Sequence, residues 1–176
     1  VLLPRYLYVV STMKGNQVLV LGCRGFIGRY VVRELLQRSV PVRVLSRKSD
    51  QARQLFNDQV EVVAGDLSDL SSLQRAVEGC ASLINVAGCY EFGPSSRDRL
   101  QAANIDGVRN LLAAWEPNSG RFVHVSTAGL WDQQPDGQLA LTRIPDYGNY
   151  KRTKLAGEQL VLDAAAKGLD AVVVNP

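Results

Sequence analysis

Tyr150 and Lys154 stand four residues apart at the start of a stretch patterned as a helix, so a phenol and an ammonium project from one helix face. A fixed positive charge beside a phenol favours the phenolate and brings its pKa down towards a working acid/base range. Such a pair transfers protons. The same spacing also arises on ordinary solvated helix faces, and Tyr147 with Lys151 forms a competing copy. The residues upstream must decide between these readings.

Gly22-Cys23-Arg24-Gly25-Phe26-Ile27-Gly28 lies between a short apolar run and an amphipathic stretch. Glycines at this spacing permit a tight turn, close approach of a pyrophosphate and tight packing of helix on strand, while the helix N-terminus offers unpaired N–H groups. The spacing is G-x-x-G-x-x-G rather than the commoner G-x-G-x-x-G, and its place after a strand and before a helix favours a dinucleotide cradle over a merely tight turn.

The next apolar run ends in Ser46-Arg47-Lys48, where an NAD-specific site would carry an acidic residue for the ribose. Arg47 can pair with a 2′-phosphate and Arg24 can add a second cation, so NADP(H) is favoured over NAD(H). The bland reading is a solvated basic loop. In Gly65-Asp66-Leu67 the carboxylate can accept from an adenine amino group or cap a helix. The small Ala87 and Gly88 in Asn85-Val86-Ala87-Gly88 leave room for a cofactor sugar or nicotinamide, or simply turn the chain. Ser126-Thr127 offers a hydroxyl that can polarise a substrate carbonyl, or a turn-forming pair.

The elements that must position these groups alternate. Short β-branched runs at 18–21, 41–46, 60–64, 81–86, 121–126 and 170–175 read as strands, and longer amphipathic stretches at 29–38, 51–57, 70–78, 97–115 and 150–167 read as helices. This order requires crossover connections, hence a Rossmann-like α/β fold with a doubly wound parallel sheet and helices on both faces. Such sheets bind ligands at the carboxyl ends of their strands. The turn-rich stretch 132–148 is expected to be a loop.

With 176 residues, 46% of them hydrophobic and 21% charged, the chain can build one domain with a substantial core. A net charge of +3, without a lysine-rich block or a basic stripe interleaved with aromatics, argues against nucleic acid and suits a small anionic ligand. Cys23, Cys80 and Cys89 have neither metal-ligand spacing nor an even count for a disulfide framework, so a reducing cytoplasm and no metal are expected. His124, the single histidine, alternates with apolar neighbours and reads as a strand residue rather than a base. No apolar run reaches the roughly 20 residues needed to span a bilayer, so no membrane partner is expected. Residues 1–12 precede Met13 and lack the ordered regions of a signal peptide; they are expected to be an extension of uncertain origin, with the nucleotide-binding domain covering 13–176.

Taken in order, Gly22/Gly25/Gly28, Asp66, Asn85-Val86-Ala87-Gly88, Ser126-Thr127 and Tyr150/Lys154 resemble the short-chain dehydrogenase/reductase superfamily. The helix phrase Asn104-Ile105-Asp106-Gly107-Val108-Arg109-Asn110-Leu111-Leu112 and the closing Val174-Asn175-Pro176 are similar to its extended branch, which includes NAD-dependent epimerase/dehydratases. Tyr150 to Glu158 looks most like dihydroflavonol 4-reductase-like and hopanoid-associated epimerase-like members.

The resemblance implies a catalytic set of Thr127, Tyr150 and Lys154. It places cofactor contacts on Gly22, Arg24, Gly25, Phe26, Ile27 and Gly28, on Arg47 and Lys48, on Asp66 and Leu67, on Ala87 and Gly88, and on Tyr150, Lys154 and Pro176. Tyr150 is preferred to Tyr147 because Glu158 follows Lys154 at the family's distance, and Asn104 matches an asparagine that supports the active site in some relatives. Two departures stand out. Leu21 replaces the small residue that commonly precedes the first glycine, and the resemblance places much of the substrate pocket after Pro176, so a substrate domain is expected to be absent from residues 13–176. The implied function is an NADP(H)-dependent oxidoreductase acting on a carbonyl or hydroxyl. An NAD(P)-dependent nucleotide-sugar epimerase or dehydratase, and a non-catalytic dinucleotide sensor, are the alternatives. The implied partners are a small carbonyl or nucleotide-sugar substrate and, through the helix that carries Tyr150, a second copy of the chain.

Overall fold

Every residue of β1, Val18–Leu21, is buried, because this strand lies inside a sheet covered on both faces. Its side chains alternate. Leu19 and Leu21 join Leu83, Phe122, Leu73, Leu111 and Val161 in one cluster, while Val18 and Val20 join Val42, Val44, Val32, Ala52 and Phe56 in another. Full burial of a leucine or phenylalanine contributes about 1.5–3 kcal/mol, so these two layers are what hold the sheet between its helices.

The computed structural model describes residues 16–91, 93, 96–115, 120–144 and 149–176. The expected extension at 1–12, the start near Met13 and the competing Tyr147 lie outside them. After β1 come α1 (Phe26–Gln37), β2 (Val42–Ser46), α2 (Ser49–Leu55), β3 (Glu61–Ala64), α3 (Leu70–Val77) and β4 (Ser82–Asn85). The second half adds α4 (Arg97–Gln101), a π-helical segment at Ala102–Asp106, α5 (Gly107–Ala114), β5 (Phe122–Val125), a 3₁₀ turn at Ala128–Leu130, the short strands β6 (Trp131–Gln133) and β7 (Leu139–Leu141), α6 (Asn149–Ala166) and β8 (Ala171–Val174).

Six strands form one sheet in the order β3-β2-β1-β4-β5-β8, and every pairing in it is parallel. The chain winds outward from β1 to β3, crosses back through α3, and winds outward again from β4. The direction reverses between β1 and β4, which opens a crevice at the carboxyl ends of those two strands.

Three expectations need correction. The first helix begins at Phe26 rather than Arg29, with Gly25 as its N-cap residue, so the helix N-terminus sits inside the glycine loop. The stretch 97–115 is not one regular helix: residues 102–106 take a π turn, the local insertion that re-aims side chains at functional positions. Finally, the stretch 132–148 holds most of an antiparallel hairpin, β6 with β7. Its turn is Gln134-Pro135-Asp136-Gly137, closed by Gly137 N–H donating to the Gln134 carbonyl at 2.9 Å, with Gly137 at φ +83°. Proline, aspartate and glycine in succession are a turn signal.

Candidate active site

The glycine loop is shaped by contacts that no side chain could survive. Gly22 has φ +82°, and a Cβ there would stand 2.6 Å from the Ala87 nitrogen; a Cβ on Gly28 would stand 2.1 Å from the Gly22 carbonyl oxygen. The first glycine thus lets the loop press against the chain leaving β4, and the third seats α1 against the loop. Gly25 N–H donates to the Gly22 carbonyl at 2.9 Å, closing the turn that leads into α1. Leu21, the unusual residue before the loop, is a core side chain, 1% exposed.

A cleft of about 580 Å³ opens at this edge. Gly22, Arg24, Gly25, Arg47, Asp66, Leu67, Ala87 and Gly88 all line it, so most of the expected cofactor contacts converge. Phe26 and Ile27 occupy the first turn of α1, with side chains 77% and 41% exposed; only their backbone amides can serve an anion in the cleft. Lys48 is the N-cap residue of α2 and Pro176 lies past β8, its carbonyl accepting from Ala128 N–H at 3.0 Å. Neither is among the cleft-lining residues described.

The charged groups of the cleft have partners. Arg47 Nε stands 3.4 Å from Asp66 Oδ2, Asp66 Oδ1 accepts from the Ser68 amide at 2.8 Å and hydroxyl at 2.7 Å, and Arg24 donates to Gln51 at 2.5 Å. Burial pushes the Asp66 carboxyl up, but the Ser68 bonds and the Arg47 guanidinium outweigh it and hold the group below its usual range. Helix capping falls to Asp69 instead, which accepts from the Ser71 and Ser72 amides at the start of α3.

At the other end the cleft is lined by Cys89, Tyr90, Glu91 and Arg99. Tyr90 meets the Tyr150 ring edge to face, with centroids 4.8 Å apart, and so joins the cleft to α6. Sequence reading missed Tyr90. Its only signal is an aromatic two residues after Gly88, at the mouth of a loop expected to hold a nicotinamide.

Tyr150 lies in the first turn of α6 and is hydrogen-bonded to the Thr127 hydroxyl. Burial pushes the phenol above the usual tyrosine range; the Thr127 bond works the other way, and Tyr90 adds to the rise. This differs from the expectation that Lys154 would draw the phenol's pKa down. Lys154 is buried and its Nζ donates to the Val125 carbonyl at 2.7 Å. Burial pulls the ammonium down to about 8, against the opposing pull of the Glu158 carboxylate.

Two buried amides brace the site. Asn85 Nδ2 meets His124 Nδ1 at 3.2 Å, and Asn85 Oδ1 accepts from the Ala87 amide at 3.1 Å. Burial first, then the Lys154 charge, pull His124 down to about 3, so this imidazole is neutral and serves the strand, as the alternation around it implies. Asn104 accepts from the Cys89 amide at 2.8 Å, and donates to the Cys89 carbonyl at 3.1 Å and to Thr153 Oγ1 at 3.0 Å. It ties the loop after β4 to α6, directly beneath Tyr150.

Residues 18–176 match the family model described as the NAD dependent epimerase/dehydratase family. A putative dihydroflavonol 4-reductase of Synechocystis is 36% identical over 163 residues, covering 89% of this chain and 47% of that protein. Sterol demethylase protein B of Methylococcus capsulatus is 32% identical over 163 residues, covering 90% of this chain and 50% of that protein. A short-chain dehydrogenase/reductase superfamily protein from Agrobacterium tumefaciens, solved with bound NAD, superposes with a TM-score of 0.73 at 27% identity, over 90% of this chain and 48% of the other. The chain spans about half the length of the relatives it matches.

Proposed function

The chain belongs to the NAD-dependent epimerase/dehydratase family, and on that premise we propose that it is an NADP(H)-dependent oxidoreductase that reduces a carbonyl through Thr127, Tyr150 and Lys154. The observation that carries the reading is the hydrogen bond between Tyr150 and Thr127, set beside the cleft by the Tyr90 ring. The glycine cradle fits a dinucleotide, because the positions where Cβ atoms would clash are those that leave the α1 N-terminus open to a pyrophosphate. When bound, the nicotinamide supplies the hydride.

The chain's own residues manage the proton. A phenol held above its usual pKa stays protonated at neutral pH, which makes Tyr150 an acid able to give its proton to a carbonyl oxygen as that oxygen gains charge. The Thr127 hydroxyl can donate to the same oxygen. Lys154, protonated at neutral pH, places a buried positive charge one helix turn from the phenol.

Arg47 supports NADP(H). Its pairing with Asp66 is exposed, at 79% and 38% of the two side chains, and such surface pairs are worth at most about 1 kcal/mol. A 2′-phosphate can take the guanidinium at little cost. One charge-assisted hydrogen bond gained, about 1.5 kcal/mol, corresponds to roughly tenfold. Titration of the chain with NADPH and NADH is expected to show NADPH binding tighter by about that factor; tighter binding of NADH counts against the cofactor assignment. Tyr150→Phe is expected to cut carbonyl reduction by about 10²–10⁴-fold with cofactor affinity little changed. Retained turnover overturns the catalytic assignment.

A further inference from the structure

The loop that carries Thr127 is stitched to the end of β8. Ser126 N–H donates to the Val174 carbonyl at 2.8 Å and Ala128 N–H donates to the Pro176 carbonyl at 3.0 Å. Between these two backbone bonds, Asn175 Nδ2 donates to the Thr127 carbonyl at 3.2 Å. The same amide donates to Glu158 Oε2 at 3.1 Å. Glu158 lies on α6, one turn beyond Lys154, and is only 4% exposed.

A carboxylate is not buried without cause. Removing it from water is costly unless it is paired or hydrogen-bonded. Glu158 accepts a hydrogen bond from Asn175, and its charge supports that of the Lys154 ammonium one turn before it. Lys154 in turn donates to the Val125 carbonyl, two residues before Thr127. Four helix residues rise about 6 Å, which matches two strand residues of about 6.6 Å. Lys154 and Glu158 therefore reach two successive same-side carbonyls of one segment, the first directly and the second through Asn175.

We propose that Glu158 and Asn175 are positioning residues for Thr127. Glu158 anchors the Asn175 amide, Asn175 fixes the Thr127 carbonyl, and the fixed backbone presents the Thr127 hydroxyl to Tyr150. Thr127 needs this hold because it lies two residues past the end of β5 in extended backbone, φ −153° and ψ 137°, and precedes a single 3₁₀ turn. Its hydroxyl is also drawn elsewhere, accepting from the Gly129 amide at 3.3 Å. A misplacement of about 1 Å in a catalytic group can cost about 10²-fold in rate. The proposal rests on the reading of Thr127 and Tyr150 as the proton-transfer pair.

The test compares Asn175→Leu, Glu158→Leu, Glu158→Gln, Thr127→Ala and the double variant Asn175→Leu/Thr127→Ala in the full chain. Asn175→Leu and Glu158→Leu are expected to lower kcat by about 10- to 100-fold with KM and cofactor affinity little changed. Glu158→Gln still offers Asn175 an oxygen and is expected to recover most of the loss. In the Thr127→Ala background Asn175→Leu is expected to cost nothing further, since the hydroxyl it positions is gone. Unchanged kcat in Asn175→Leu, or a loss that multiplies with that of Thr127→Ala, overturns the proposal.

A second readout needs no turnover. The Tyr150 phenol is titrated by absorbance against a Tyr150→Phe blank, and Thr127→Ala and Asn175→Leu are each expected to raise its midpoint, without adding. A midpoint that moves in Thr127→Ala and not in Asn175→Leu also overturns it. A chain that shows this coupling without reducing any carbonyl retains the positioning role and loses the proposed function.

Discussion

The backbone carbonyl of Asn104 faces Gly157 so closely that a Cβ on Gly157 would stand 2.2 Å from its oxygen. The π turn at 102–106 and the glycine in α6 are two halves of one contact. The extra residue in the turn brings Asn104 forward, and the missing side chain lets α6 receive it. From there the Asn104 side chain reaches Cys89 and Thr153.

Gly157→Ala is therefore expected to destabilise the chain by about 1–3 kcal/mol, the usual cost of overpacking a tight contact. Denaturant unfolding measures it. Alanine is otherwise the better helix former by close to 1 kcal/mol, so a neutral or stabilising result would show that the two helices part without cost.

His124 sets a pH dependence. Folded, its pKa is about 3; unfolded, it returns to the ordinary value of 6.5. Between those values the unfolded chain holds a proton that the folded chain does not, so stability from this group is complete above 6.5 and is lost as pH falls towards 3. His124→Gln, which keeps an acceptor for Asn85, is expected to lose less stability across that window, by up to about 1.4 kcal/mol per pH unit. Parallel acid-unfolding curves for the two chains would contradict the buried neutral imidazole.

Lys154 works at the other end of the scale. Its ammonium titrates near 8 when folded and near 10.5 when free. Between these values the unfolded chain again binds the extra proton, so wild-type stability gains on Lys154→Met as pH rises, by up to about 1.4 kcal/mol per unit. The same variant is expected to lose carbonyl reduction. A stability difference that stays flat from pH 8 to 10.5 would place the ammonium in water rather than in the protein.

Much of this architecture could be read from residue types at short range. Val18 to Leu21, the three glycines that follow, and the apolar stripe of α1 are patterns whose physical cause is local: strand pleat, turn geometry and helix period. Their order along the chain was enough to require a parallel sheet and to place Gly22, Asp66, Ala87, Thr127 and Tyr150 at one edge. Even the hairpin had its signal, in Pro135-Asp136-Gly137.

Which partner each side chain takes was settled only in three dimensions. Arg47 and Asp66, read separately as ligands for two parts of a cofactor, face each other across the ends of neighbouring strands β2 and β3. Tyr90 meets Tyr150, and Asn175 holds Thr127, over separations in sequence that no local period spans. The same holds for the ammonium of Lys154, whose partner is a backbone carbonyl of β5 rather than the phenol one turn before it. Spacing put Tyr150 and Lys154 on one helix face; the burial of that face and the strand ends packed against it decided which proton each group holds.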